Sequence, residues 1–100
     1  MIRVTKTFIR PNTNIGWWLN TPAGQNYAAY RLSTYGSKVS NESKTLSNDG
    51  LTWTFSSTWA SRADYDAMMA DPVIQQAIAA RRTYDGQNGV YEADTQIVNL

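Results

Sequence analysis

The sequence predicts an α+β domain of order β-α-β-β-α-β, in which a four-stranded antiparallel sheet carries its helices on one face. Three observations carry that prediction. Leu51, Trp53, Phe55 and Trp59 alternate with Thr52, Thr54, Ser56 and Thr58, the period-two pattern of a half-buried strand. Asn48-Asp49-Gly50 in front of it is a strong turn signal. Ser61-Arg62-Ala63-Asp64 behind it has the spacing of a capping box, with Asp in place of Glu, and opens a helix. A hairpin therefore leads into a strand-to-helix crossover.

The remaining elements follow in order. Ile2, Val4 and Phe8 alternate with Arg3, Thr5 and Thr7, giving a first strand over about residues 2 to 10 that Pro11 stops. Lys6 interrupts its apolar face, which places part of that face at a sheet edge. Asn12 to Gly16 is rich in turn residues, and Trp17-Trp18-Leu19 after it is too apolar for an ordinary exposed connection. Thr21-Pro22 starts a helix, with the hydroxyl as N-cap and proline at the first helical position, and Gly36 ends it. Its small and aromatic members suggest close approach to the sheet along Ala28, Leu32 and Tyr35. Residues 37 to 47, with Val39 and Leu46 among polar residues, read as an edge or hairpin strand. Asp71-Pro72 breaks the next helix after Met68-Met69, because the residue before a proline is pushed out of helical geometry. A second piece runs from Val73 to about Tyr84, where Asp85 to Gly89 terminates it. Val90 to Leu100 reads as a closing strand with Tyr91, Ala93, Thr95 and Ile97 on one face.

A chain of 100 residues makes one domain, residues 1 to 100, with a single two-layer core. Nine Lys and Arg against eight Asp and Glu leave no block of like charge, so nucleic acid is not an expected partner. No run approaches the length of a membrane span, and the charged N-terminus is unlike a signal peptide, so a soluble, unprocessed cytoplasmic protein is expected. Without Cys or His the usual zinc sites are excluded, and Asp64, Asp66 and Asp71 do not have the spacing or the further oxygen donors of a calcium loop. No metal is expected. Neither a G-x-G-x-x-G, a P-loop nor a G-x-S-x-G is present, so nucleotide binding and nucleophilic serine catalysis have no motif and no cofactor is expected.

Trp53-Thr54-Phe55, Trp59, Ser61, Tyr65 and Asp71-Pro72-Val73 resemble the third strand, aromatic strand end and proline-broken helix of one family: the dimeric α/β-barrel superfamily of ferredoxin-like domains. That superfamily includes antibiotic-biosynthesis monooxygenases and heme-degrading relatives. The resemblance implies a homodimer in which the sheet face opposite the helices packs on a second subunit. Members acting on heme or reactive small molecules often carry a His on the helix after the third strand, whereas this chain has Met68-Met69 there and no His at all. Histidine acid/base chemistry and histidine ligation of heme are thereby excluded. Arg10-Pro11-Asn12-Thr13 after a short first strand also resembles small marine phage proteins, which would place the chain in a host cytoplasm or virion.

Four Trp in this length are many, and aromatics can line a ligand site. Trp53, between Leu51 and Phe55, reads as core. Trp17 and Trp18 are better ligand candidates because one sheet does not easily bury two neighbours, although helix cover or a dimer contact accounts for them as well. Arg81-Arg82 can clamp an anion, with complementation of a helix C-terminus as the structural reading. The ligand-binding candidates are thus Trp17, Trp18, Trp59, Tyr65 and Arg81, and no residue is assigned as catalytic. The expected role is binding or assembly by a non-enzymatic homodimer. The alternative is a cofactor-free monooxygenase-like enzyme that holds a small aromatic substrate between helices and sheet. A third reading, a virion component, predicts exposed aromatic patches around Trp17 and Trp18.

Overall fold

A computed structural model describes residues 1–100. Strand β1 (Ile2–Ile9) is followed by helix α1 (Pro22–Tyr35), the hairpin β2 (Val39–Leu46) and β3 (Thr52–Trp59), helices α2 (Arg62–Ala70) and α3 (Pro72–Asn88), and strand β4 (Tyr91–Asn99). The strands form one antiparallel sheet in the order β2-β3-β1-β4. This is the ferredoxin-like arrangement, with the second helix in two pieces.

The helix starts expected from the sequence form as written, whereas Gly36 follows α1 in right-handed geometry (φ −58°) and opens a short 3-10 turn, Gly36–Lys38, instead of a left-handed cap. Thr21 accepts from the Gly24 amide, Ser61 from the Asp64 amide and Asp71 from the Val73 amide, so each helix has its N-cap. The hairpin turns through Gly50 at φ +75°, a conformation that costs glycine nothing. Ile2, Val4 and Trp59 from the sheet meet Tyr65, Met68 and Ile74 from the helices in the core.

Four expectations need correction. β1 lies between β3 and β4, so Lys6 sits at the middle of the sheet and not at an edge. α3 does not end at Tyr84 but continues to Asn88, because Asp85 turns inward toward Arg81 and the left-handed cap falls at Gly89, φ +72°. Thr7 pairs with Asp94 and Phe8 with Glu92, so a bulge at Ala93 switches faces and places Glu92, not Tyr91 or Ala93, beneath the helices with Thr95 and Ile97. α1 approaches the sheet through Tyr27, Arg31 and Tyr35, while Leu32 is 73% exposed. Leu32 is displaced because the inward position one residue earlier is taken by a guanidinium.

One carboxylate locks the three helices together. Asp71 Oδ2 accepts hydrogen bonds from the Tyr30 and Tyr35 hydroxyls of α1, both at 2.6 Å, while Oδ1 caps α3. The two phenols hold the Asp71 carboxyl below its usual 3.8. In return the Asp71 bond pushes Tyr35 up from 10.0 to about 12, with desolvation adding. The stability contributed by Asp71 is therefore present above its unfolded value of 3.8 and fades as pH falls through its lower folded value. That from Tyr35 is present below 10.0 and fades as pH rises toward 12. Asp71→Asn is expected to flatten both limbs of a plot of Tm against pH; unchanged limbs would show that the clamp carries no stability.

Candidate active site

The layers do not fill the space between them. A cavity of about 270 Å³ lies between the inner sheet face and the helices, mostly lined by hydrophobic residues. β1 supplies Lys6 and Phe8, β3 supplies Trp53, Phe55 and Trp59, and Tyr27, Arg31, Tyr65 and Arg81 project from the helices.

Trp17 and Trp18 close one end, and both are buried, at 8% and 6% exposed. The segment ahead of α1 is tied down at its backbone. The Arg10 guanidinium donates to the carbonyls of Ile15 (2.6 Å) and Gly50 (2.8 Å), and the Tyr84 hydroxyl donates to that of Gly16 (2.6 Å). Arg10 also lies 4.6 Å from the Trp17 ring centre. Trp17 then meets Trp53 edge-on at 5.2 Å, and Trp18 leans on Tyr27 at 5.7 Å. Neighbouring tryptophans are both covered because one packs toward the sheet and the other toward α1. No exposed aromatic patch forms there, which removes the basis of the virion reading.

Trp59 is fully buried, donates from Nε1 to Ser57 Oγ at 3.2 Å and meets the Tyr65 ring edge-on at 5.5 Å. Trp53, expected in a filled core, instead keeps part of its surface open to the cavity, as does Phe55. All five candidates, Trp17, Trp18, Trp59, Tyr65 and Arg81, line this one space.

The charges are arranged in layers. Arg31 lies over the Phe55 and Trp59 rings at 5.5 and 5.6 Å and is ion-paired to Glu42. A bulge in β2, with Asn41 at φ +49°, sets Glu42 among the cavity-lining residues. Arg81 lies 5.0 Å over Phe8, with Glu92 at 3.6 Å and Asp85 at 3.8 Å. None of its N–H groups makes a hydrogen bond, and its Nε is buried without a partner. Arg81 does not serve a helix C-terminus, since α3 runs a further seven residues. Burial pushes the Asp85 carboxyl up against the pull of Arg81, and burial likewise raises the Tyr27 and Tyr65 phenols. Sequence reasoning missed Lys6, Phe8 and Arg31; the available signal was a cation set within an apolar periodicity, at position 6 of β1 and four residues after Tyr27 on α1.

Such a space can hold a planar aromatic molecule between rings and offer cations to an oxygen on it. The fold and site define a ferredoxin-like α+β domain with a ligand-sized cavity between its layers. Neither a protein-family model nor a curated protein sequence matches the chain. Solved structures do. SnoaB, a cofactor-independent oxygenase from Streptomyces nogalater, is 8% identical, with a TM-score of 0.65 over 99% of this chain and 91% of that one. Two proteins assigned as antibiotic biosynthesis monooxygenases share the fold as well. The one from Deinococcus radiodurans is 9% identical, with a TM-score of 0.59 over 100% of this chain and 92% of that one. The one from Chloroflexus aurantiacus J-10-fl is 16% identical, with a TM-score of 0.53 over 100% and 93%. At these identities the likeness establishes the fold: the chain is built as the antibiotic-biosynthesis monooxygenase-like ferredoxin-fold proteins are. The phage resemblance finds no support among these neighbours.

The expectation of a non-enzymatic binding or assembly role is thereby corrected. It rested on the fold pattern, the surplus of aromatics and the missing catalytic side chains; the structural neighbours include a cofactor-independent oxygenase and two proteins assigned as monooxygenases, and the aromatics line an open cavity. Tryptophans fill a core only when the layers close on them, and here the inward Lys6, Arg31 and Arg81 hold that space open.

Proposed function

We propose that the protein is an oxygenase acting on a small, planar, activated phenol held in the aromatic cavity, and that it works as a homodimer. The observation that carries this reading is the unfilled space with rings as walls and Arg81 above it, its guanidinium without a hydrogen bond. Loss of the hydroxyl proton gives a phenolate whose charge spreads onto ring carbon. That anion passes an electron to O2 and combines with it at carbon. The peroxide anion so formed takes back the proton that the hydroxyl gave up, and the hydroperoxide loses water, so that phenol plus O2 gives quinone plus H2O, one oxygen atom entering each product. The substrate supplies the electrons, and the protein's task is to bind the anion and keep water away. Arg81, and Arg31 from α1, would donate to the phenolate oxygen as charge collects there.

Oxygen uptake with a panel of hydroquinones and polycyclic phenols tests the reading, with ¹⁸O₂ placing one labelled atom in the product. Arg81→Met is expected to lower kcat/KM by about 10²–10³-fold, the effect of removing one oxyanion donor. If no phenol of the panel quenches tryptophan fluorescence at millimolar concentration, the cavity is not a substrate site and the reading falls.

The dimer rests on the other sheet face. Its positions are hydroxyl-rich, among them Thr5, Thr7, Thr52, Thr54 and Thr58, with Arg3 and Asp94 the charged residues in the paired register. Tyr91 and Val98 stand on it 55% and 53% exposed. A face with so little charge and exposed large apolar groups suits a second copy of the same surface. Light scattering at high micromolar concentration is expected to give twice the 11.2 kDa chain mass, and a monomer would remove this part.

A further inference from the structure

Lys6 occupies the centre of the inner sheet face. Its cross-strand neighbours are Phe55 on β3 and Thr95 on β4, and Phe8 lies two residues along β1. Arg31 sits over Phe55 and Arg81 over Phe8, so a guanidinium stands over each of these two neighbours of Lys6. It lines the cavity, yet it forms neither an ion pair nor a hydrogen bond with any side chain. The nearby carboxylates are engaged, Glu42 by Arg31 and both Asp85 and Glu92 by Arg81. A cation at the middle of a sheet, facing rings and without an anion of its own, is costly to bury and is held there by no pairing. Resting on the oxygenase reading, we propose that Lys6 is the proton acceptor of the reaction, its neutral amine taking the hydroxyl proton of the bound phenol.

The step balances. The phenolic O–H bond breaks and leaves its electron pair on oxygen, and the Nζ lone pair forms a new N–H bond. Ammonium and phenolate then stand as an ion pair in place of two neutral groups, with Arg31 and Arg81 sharing the anion. The amine is available because desolvation foremost, with Arg81, Arg82 and Arg31 as like charges, lowers its pKa from 10.5, against an opposing pull from Glu92. With no His in the chain and the carboxylates paired, Lys6 is the free Brønsted base lining the cavity.

Competitive acetylation across pH, read peptide by peptide in a mass spectrometer, titrates Lys6 in the intact protein against an added lysine model peptide and requires neither turnover nor a variant. Lys6 is expected to half-react at a lower pH than the model peptide, in the direction that its desolvation and the neighbouring guanidiniums set. In parallel, Lys6→Met and Lys6→Arg are expected to bind phenols as the wild type does but to lose about 10²–10⁴-fold in kcat, the range of general base catalysis, together with the acidic limb of the rate profile. Arginine keeps the charge and cannot accept the proton, so wild-type turnover by Lys6→Arg overturns the proposal and leaves the oxygenase reading standing. Titration of Lys6 together with the model peptide overturns it as well. If Lys6 titrates low but the wild type consumes no O2 with any phenol it binds, the oxygenase reading fails and takes the assigned proton transfer with it.

Discussion

Trp59→Ala is expected to cost about 3–5 kcal/mol, the range for deleting a fully buried large aromatic. A single domain of this size is stable by only about 5–15 kcal/mol, so a large part of the margin against unfolding would be lost. The expectation rests on position. Trp59 is 0% exposed and pairs across β1 with Ile2 and across β2 with Val39. Its ring is braced by Tyr65, and its N–H is satisfied by Ser57. Truncation would remove ring contacts to both layers and orphan the Ser57 hydroxyl in a site already next to a cavity, where the layers gain little by collapsing. At about 4–8 °C per kcal/mol for a chain of this length, Tm should fall by roughly 12–40 °C. Trp59→Phe keeps a ring against Tyr65 and loses the N–H bond, so about 1–2 kcal/mol is expected. Urea titration separates the cases: the midpoint should move in the order wild type, Phe, Ala at constant slope. A cost below about 1 kcal/mol for alanine would show that Trp59 does not anchor the core.

Gly24→Ala should be the most damaging of the glycine substitutions, although it lies in a helix where alanine is intrinsically favoured by about 1 kcal/mol. A Cβ there would stand 2.1 Å from the Trp18 carbonyl oxygen and 2.6 Å from Leu19 Cα. These are backbone atoms, which no rotamer change can move. The short turn at Trp18–Asn20 would have to back away from α1, and the net loss is expected at about 2 kcal/mol or more, near 10 °C in Tm. Because Trp17 and Trp18 form one end wall of the cavity, the phenol binding we propose should weaken in molecules that still fold. Gly86→Ala is the control of opposite sign. Nothing lies within 4 Å of a Cβ at Gly86, inside α3, so about 0.5–1 kcal/mol of stabilisation is expected. If the two alanines behave alike, the close approach of the turn to α1 is not what Gly24 serves.

The helix starts were legible because capping is chemistry between neighbours. Thr21, Ser61 and Asp71 each satisfy an amide two or three residues away, and the prolines after Thr21 and Asp71 fix φ locally. The hairpin at Gly50 was legible for the same reason. The end of α3 was not, since Asp85 reads as a loop residue until Arg81 is known to receive it. Nor was the face of β4, where a bulge at Ala93 exchanges Tyr91 for Glu92 beneath the helices through the register with β1.

The candidate site divides in the same way. Trp17, Trp18, Trp59, Tyr65 and Arg81 stood out by residue type, and they converge on one cavity. Lys6 and Arg31 did not, because their meaning depends on strand order: the same lysine is a solvated edge group in one arrangement and a buried cavity amine in the order β2-β3-β1-β4. The sequence by itself determined the elements, their caps and the βαββαβ order, since propensity, capping and periodicity act over a few residues. Only the tertiary structure decided that the layers stand apart around a cavity. That outcome depends on the volumes and charges of Lys6, Arg31, Phe55 and Arg81, side chains distant in sequence that meet only after the sheet has formed.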